Sequence, residues 1–221
     1  MVNTALSGPG RKPASGGPAR QLVVFLHGVG ADGHDLIGLA PYFADALPDA
    51  EFLSPHAPFP CDMAPMGRQW FSLQSLAPDA IFAGIVAAAP ILDGFLDEQL
   101  AARGLIDRQL AIVGFSQGTM MALHVALRRR QPCASLIGYS GLLAAPERLA
   151  AEMTARPPVL LVHGEEDEVI PYDCLPAAEN ALAMVGVPVV SLSCPGLGHS
   201  IDEEGLRAGI HFVAERFAGK M

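Results

Sequence analysis

The chain has 221 residues, 51% of them hydrophobic, and a formal charge of -9. That is enough apolar material for one sizeable core and hardly enough for two, and it is far from the composition of a disordered chain. The acidic balance speaks against a nucleic-acid backbone or an anionic membrane surface as partner, since both require a basic face, and no unbroken apolar run approaches the ~20 residues of a membrane span.

Residues 1–18 are rich in Gly, Pro, Ser and Ala. They read as a flexible tail with no core to join, ahead of one domain over 19–221. The tail has no apolar segment of the kind that leads export, so a cytoplasmic location and free thiols are expected for Cys61, Cys133, Cys174 and Cys194. "QLVVFLHG" is a short apolar run closed by glycine and predicts a buried strand. "GHDLIGLAPYFADAL" predicts a helix with Leu36, Leu39, Tyr42, Phe43 and Leu47 on one face. "AEFLSPHA" predicts a second strand.

Residues 57–80 break the rhythm, because Pro58, Pro60, Pro65 and Pro78 exclude regular structure across much of the segment. A helix with a kink near Pro90 follows, then strand "RQLAIVGF" and helix "QGTMMALHVALRRR", whose Arg128-Arg129-Arg130 end suits the helix dipole. Strand "ASLIGYSG", short helix "APERLAAEM", strand "PPVLLVHG", helix "CLPAAENALAMVG", strand "VPVVSLSC" and helix "IDEEGLRAGIHFVAERF" complete the chain. Continuous apolar strands alternating with helices imply an α/β fold, a mostly parallel sheet with helices on both faces. In such sheets ligands bind beyond the C-terminal strand ends.

Those ends carry few reactive side chains. Ser116 follows "LAIVGF", Asp167 lies in the acidic turn after "VLLVHG", and His199 follows the last strand. This is the chain order Ser–Asp–His of α/β-hydrolases, and Gly114-Phe115-Ser116-Gln117-Gly118 matches their G-x-S-x-G elbow. The elbow needs glycines where strand and helix approach, and it lifts the serine to a helix N-terminus where N–H groups favour developing negative charge. On its own the motif is weak. The strand before it, the helix after it, and the two partners at further strand ends give it weight.

Competing patterns are weaker. "GVGADG" at 28–33 matches a dinucleotide fingerprint, but the next strand ends in His56 and Ala57, and its only acid, Glu51, is at the wrong end. Of seven histidines, His124 and His211 are mid-helix, His34 opens a helix, His56 borders the proline-rich loop, and His27 and His163 precede glycines as loop-shaping residues. None has metal-ligand spacing, so no metal or cofactor is expected. Met63, Met66, Trp70 and Phe71 in the long loop form either an apolar lip over a substrate or a plug that seats the loop.

"FLHGVGADGHDL", "APMGRQWF", "IVGFSQGTMMAL", "LLVHGEEDEVIP" and "GLGHSI" together resemble the carboxylesterase/acyl-protein thioesterase branch of the α/β-hydrolases, over about residues 20–216. The resemblance implies Ser116 as nucleophile, Asp167 as orienting acid, His199 as base, and an oxyanion hole from the N–H groups of Leu26 and Gln117. It departs at Glu165, where the family has Asp in its His-Gly-Asp-x-Asp turn; the later acid is kept.

The expectation is therefore a serine esterase for small-molecule carboxylic esters. No connection except 57–80 is long enough for a cap domain, so the cleft should be open and suit short to medium acyl chains. Thioesterase, lysophospholipase and peptidase activities are not separated from it, a non-catalytic binding protein on the same fold is the rival from another class, and a homodimer is left open.

Overall fold

The computed structural model describes residues 6–219. Its strands are β1 (Gly10–Arg11), β2 (Gln21–Leu26), β3 (Ala50–Leu53), β4 (Phe59–Pro60), β5 (Arg68–Gln69), β6 (Leu110–Phe115), β7 (Ser135–Tyr139), β8 (Val159–Gly164) and β9 (Val189–Cys194). Its helices are α1 (Gly33–Leu36), α2 (Ala40–Ala46), α3 (Pro78–Arg103), α4 (Gln117–Ala126), α5 (Leu149–Glu152), α6 (Cys174–Met184) and α7 (Glu203–Phe217). Seven strands form one sheet in the order β1-β3-β2-β6-β7-β8-β9, and β4 and β5 form a separate hairpin. Every pairing in the large sheet is parallel except that of β1 with β3.

The alternation of β-strand side chains sorts the apolar runs into two cores. Leu22, Val24, Leu26, Leu110 and Ile112 face α3, α4 and α6. Val23, Phe25, Ala111, Val113, Ile137 and Tyr139 face α1, α2 and α7. A strand buried on both sides has no room for the polar alternation of a half-exposed sheet. No large cap domain covers the strand ends among the described residues, and the architecture is that of an α/β-hydrolase.

Four expectations need correction. The segment before residue 19 is not a free tail: over its described part, 6–18, it closes the sheet edge. Gly10 pairs with Leu53 and Arg11 with Phe52, while Ser54 N–H donates to Pro9 O and His56 N–H to Ser7 O. Backbone pairing needs no side chains, so a Gly/Pro-rich composition did not prevent it. Residues 1–5 lie outside the described part.

The helix over 33–47 is two short helices joined by a 3-10 turn at Ile37–Leu39, ahead of Pro41. The tighter turn rotates the later residues, so Tyr42 is 59% exposed rather than on the buried face. The helix expected to end in the arginine triplet stops at Ala126. Arg129 is instead buried, held by Asp107 at 2.6 Å, Asp97 at 2.7 Å and Asp93. Finally, α3 is one helix with Pro90 inside it, as expected, but it contains an 18-residue window of mean hydropathy 1.7, long and apolar enough by composition to span a membrane, where no segment of that kind was expected. In this structure Ile85, Leu92, Leu96 and Leu100 of α3 enter the core beside α4.

Candidate active site

The serine turn is built by close approach. A Cβ on Gly118 would lie 1.9 Å from Leu26 O, and one on Gly114 would lie 2.6 Å from the Gly118 carbonyl, so helix α4 can rest on β2 and β6 only with glycine at both places. Between them Ser116 adopts φ 54°, ψ -117°, a conformation few L-residues hold without external support. The support is explicit. Ser116 N–H donates to Tyr139 O at 2.9 Å, and Ser116 O accepts from Thr119 N–H at 2.9 Å and Met120 N–H at 3.3 Å. The Thr119 hydroxyl bonds the same Tyr139 carbonyl at 2.8 Å. Ser116 thus caps α4, whose first N–H groups, beginning with Gln117, have no partner within the helix.

Asp167 and His199 meet at the ends of β8 and β9. Glu165 N–H donates to Cys194 O and Glu166 N–H to Leu197 O, which ties the two loops together. Gly164 makes room for this, since a Cβ there would lie 2.2 Å from Leu197 O. The buried Asp167 carboxylate receives His199 Nδ1–H at 2.8 Å on Oδ2 and the N–H groups of Val169 and Ile170, each at 2.9 Å, on Oδ1. Burial alone would raise its pKa. The hydrogen bonds from His199, Ile170 and Val169 outweigh burial and hold it below the usual carboxylate range. With Nδ1 committed to Asp167, His199 keeps Nε2 as its exchangeable nitrogen.

His163, read from sequence only as a loop-shaping residue, also reaches the acid. Its Nε2 is 2.9 Å from Ile170 O and 3.3 Å from Asp167 Oδ2. The i, i+4 spacing of His163 and Asp167 was the available signal, but it becomes a contact only because the turn after β8 folds back. Glu165, Glu166 and Glu168 are exposed, as expected of a solvated turn, and Glu165 bonds the Ser193 hydroxyl. The departure at Glu165 therefore leaves Asp167 and His199 joined.

The glycines of "GVGADG" serve the loop over 57–80. Gly30 N–H donates to Arg68 O at 2.9 Å and Arg68 N–H to Ala31 O at 2.7 Å, and a Cβ on Gly67 would lie 2.0 Å from Gly30 O. His27 bonds Gly28 O through Nδ1 at 2.7 Å and accepts Ala57 N–H on Nε2 at 3.0 Å. Burial lowers its pKa, which suits a neutral ring that donates at one nitrogen and accepts at the other. Glu51, the acid a dinucleotide site would have needed elsewhere, is engaged by Arg103 at 2.8 Å and Lys12 at 3.2 Å.

Two expected site features are redrawn. Trp70 and Phe71 are 0% and 3% exposed, so they plug the loop onto the domain rather than line a substrate. Trp70 Nε1–H donates to His27 O at 3.0 Å, and the Gln117 side chain accepts Trp70 N–H and donates to Phe71 O, both at 2.8 Å. Met63 and Met66 are 61% and 81% exposed at the loop tip. Leu26 is the last residue of β2, paired with Gly114, so its N–H lies in the plane of the sheet two residues below the serine level. The backbone beside Ser116 is that of Gly28, whose Cβ would lie 3.3 Å from the serine Cβ. Among the described residues, the N–H groups of Gly30 and Ala31 are already donated, to Arg68 O and Gly28 O, whereas those of Gly28 and Val29 have no acceptor in that turn.

Comparison with known proteins places these features in a family. Residues 13–216 match the phospholipase/carboxylesterase family model. Esterase YpfH of Escherichia coli (strain K12) is 31% identical over 190 residues, covering 86% of this chain and 80% of that protein. Acyl-protein thioesterase 1 of Gibberella zeae is 25% identical over 201 residues, covering 83% of this chain and 85% of that protein. Among solved structures, esterase PE8 superposes with a TM-score of 0.92 at 42% identity, covering 96% of this chain and 99% of that one. The chain belongs to the phospholipase/carboxylesterase family.

Proposed function

We propose that this carboxylesterase works through Ser116, His199 and Asp167. The observation that carries the reading is the pairing of His199 Nδ1 with the buried Asp167 at 2.8 Å, with the His199 ring 4.8 Å from that of Phe115, the residue before a serine held at φ 54° on the N-terminus of α4. Ser116 Oγ attacks the ester carbonyl while its proton passes to His199 Nε2. The tetrahedral oxyanion is met by the N–H of Gln117 and, in place of Leu26, by a donor of the turn after β2, Gly28 or Val29; one such donor is worth ~3 kcal/mol. The C–O bond then breaks, the alkoxide takes the proton from Nε2, and the acyl group stays on Ser116. His199 next deprotonates a water that attacks the acyl carbon, and as the acyl–Oγ bond breaks Nε2 returns that proton to Ser116 and the acid leaves. Asp167 remains ionised throughout and stabilises the imidazolium.

The substrate reading is a small-molecule ester of short to medium acyl chain, because no cap domain encloses the strand ends among the described residues. The similarity to an acyl-protein thioesterase supports thioester cleavage as the second reading, since the same acyl transfer serves both. Fluorophosphonate treatment followed by peptide mass mapping tests the assignment. A single stoichiometric adduct on Ser116, lost in His199→Ala, is the expected result. An unlabelled Ser116 would favour a binding protein on a hydrolase fold.

A further inference from the structure

One cavity that touches His199 is not made by the long loop. It has a volume of about 310 Å³, and its walls are Leu36 and Leu39 of the first helical segment, Phe115 beside the serine, and Ile201 after the histidine, with Asp35 also lining it. No residue of 57–80 lines it. The Phe115 ring lies tilted against the His199 imidazole, with centroids 4.8 Å apart, and both rings line the cavity.

Which half of an ester belongs there follows from the proton inventory. The leaving oxygen must collect its proton from His199 Nε2, which requires it within hydrogen-bond reach of that ring. The acyl carbon is bonded to Ser116. A cavity walled by His199 borders the ring that must hand a proton to the leaving oxygen. We propose that this cavity is the leaving-group pocket and that it selects compact apolar alcohols, with cationic ones preferred over anionic ones through Asp35. This rests on the assignment of Ser116 and His199 made above. The four apolar walls suit a branched or aromatic alcohol, and the exposed carboxylate repels phosphorylated or carboxylated leaving groups, as does the chain's formal charge of -9.

The test keeps the acyl group constant. Acetylcholine and 3,3-dimethylbutyl acetate have alcohols of the same shape, one cationic and one neutral. The ratio of their kcat/KM values in the native protein, divided by the ratio in Asp35→Asn, cancels their intrinsic reactivities. At low ionic strength it should be about 2 to 5, the effect of one exposed charge, and should approach 1 at high salt. A quotient of 1 at low salt would remove Asp35 from the proposal.

The apolar walls are tested by Leu39→Trp, which should fill the pocket. Benzyl acetate should then lose about tenfold more activity than methyl acetate, whose alcohol needs no pocket. If Leu39→Trp changed the ratio of methyl butyrate to methyl acetate and left the ratio of benzyl to methyl acetate as it was, the cavity would hold the acyl group and the proposal would fall. Fluorophosphonate labelling of Ser116 in each variant separates these outcomes from failure of the catalytic assignment or of folding.

Discussion

Replacing Asp167 by Asn puts the strictest demand on the site geometry. The carboxylate accepts on both sides: Oδ1 from the N–H groups of Val169 and Ile170, Oδ2 from His199 Nδ1–H. An amide has only one accepting oxygen. Two backbone donors fix that oxygen in the Oδ1 place, which turns the NH₂ toward His199. Nδ1 must then become an acceptor, and the proton moves to Nε2, the nitrogen that has to receive the serine proton. An acid-to-amide change that inverts the tautomer in this way lowers kcat by about 10⁴-fold, or ~5 kcal/mol of transition-state stabilisation. The assay is kcat for p-nitrophenyl acetate near neutral pH, corrected for background hydrolysis, with the melting temperature as a control on folding. Retention of kcat within about tenfold, in a folded variant, would refute the role of Asp167. Ser116→Ala combined with Asp167→Asn should be little worse than Ser116→Ala alone, because the residues act as a unit.

Gly118→Ala should displace α4, since the new Cβ would lie 1.9 Å from Leu26 O; the expected cost is at least ~1–3 kcal/mol in urea unfolding, with loss of esterase activity, and native stability would show that the helix does not rest on β2. Trp70→Ala should destabilise by ~3–5 kcal/mol, because the ring is fully buried; a stable variant with only an altered acyl-length profile would restore the lip reading. His124 has its pKa pushed down to about 4 by burial, then by Arg128. An unfolded chain takes up that proton near pH 6.5 and the folded one does not, so the full contribution is present above that pH and is lost as pH falls toward 4. The loss amounts to ~3 kcal/mol, and the drop in unfolding free energy, measured by urea titration at pH 7.5 and 4.5, should be smaller in His124→Gln by most of that amount. Equal drops would mean that His124 charges freely in the folded state.

Apolar runs bounded by glycine, and reactive side chains just beyond them, were legible along the chain because strand burial and strand-end placement are local consequences of residue order. That is why Ser116, Asp167 and His199 could be named as candidates from spacing, and why their loops are where the strands end. The approach distances, the hydrogen-bond inventory and the direction of each loop were not local. Trp70 and Phe71 look the same in sequence whether they line a cleft or plug it; only packing against His27, Gln117 and α3 decides, because burial depends on what lies opposite. Leu26 and its neighbours Gly28 and Val29 all precede the same helix, and only the pairing of Leu26 with Gly114 shows that its N–H lies within the sheet. The described part of the N-terminal segment joined the sheet through backbone groups that composition does not report. His163 came to Asp167, and Leu36, Leu39 and Ile201 to His199, through turns whose path is set by the whole fold. Residue order determined which elements form and which chemistry they carry to the strand ends; tertiary packing decided which of those groups touch, because a contact between distant residues is a property of two surfaces at once.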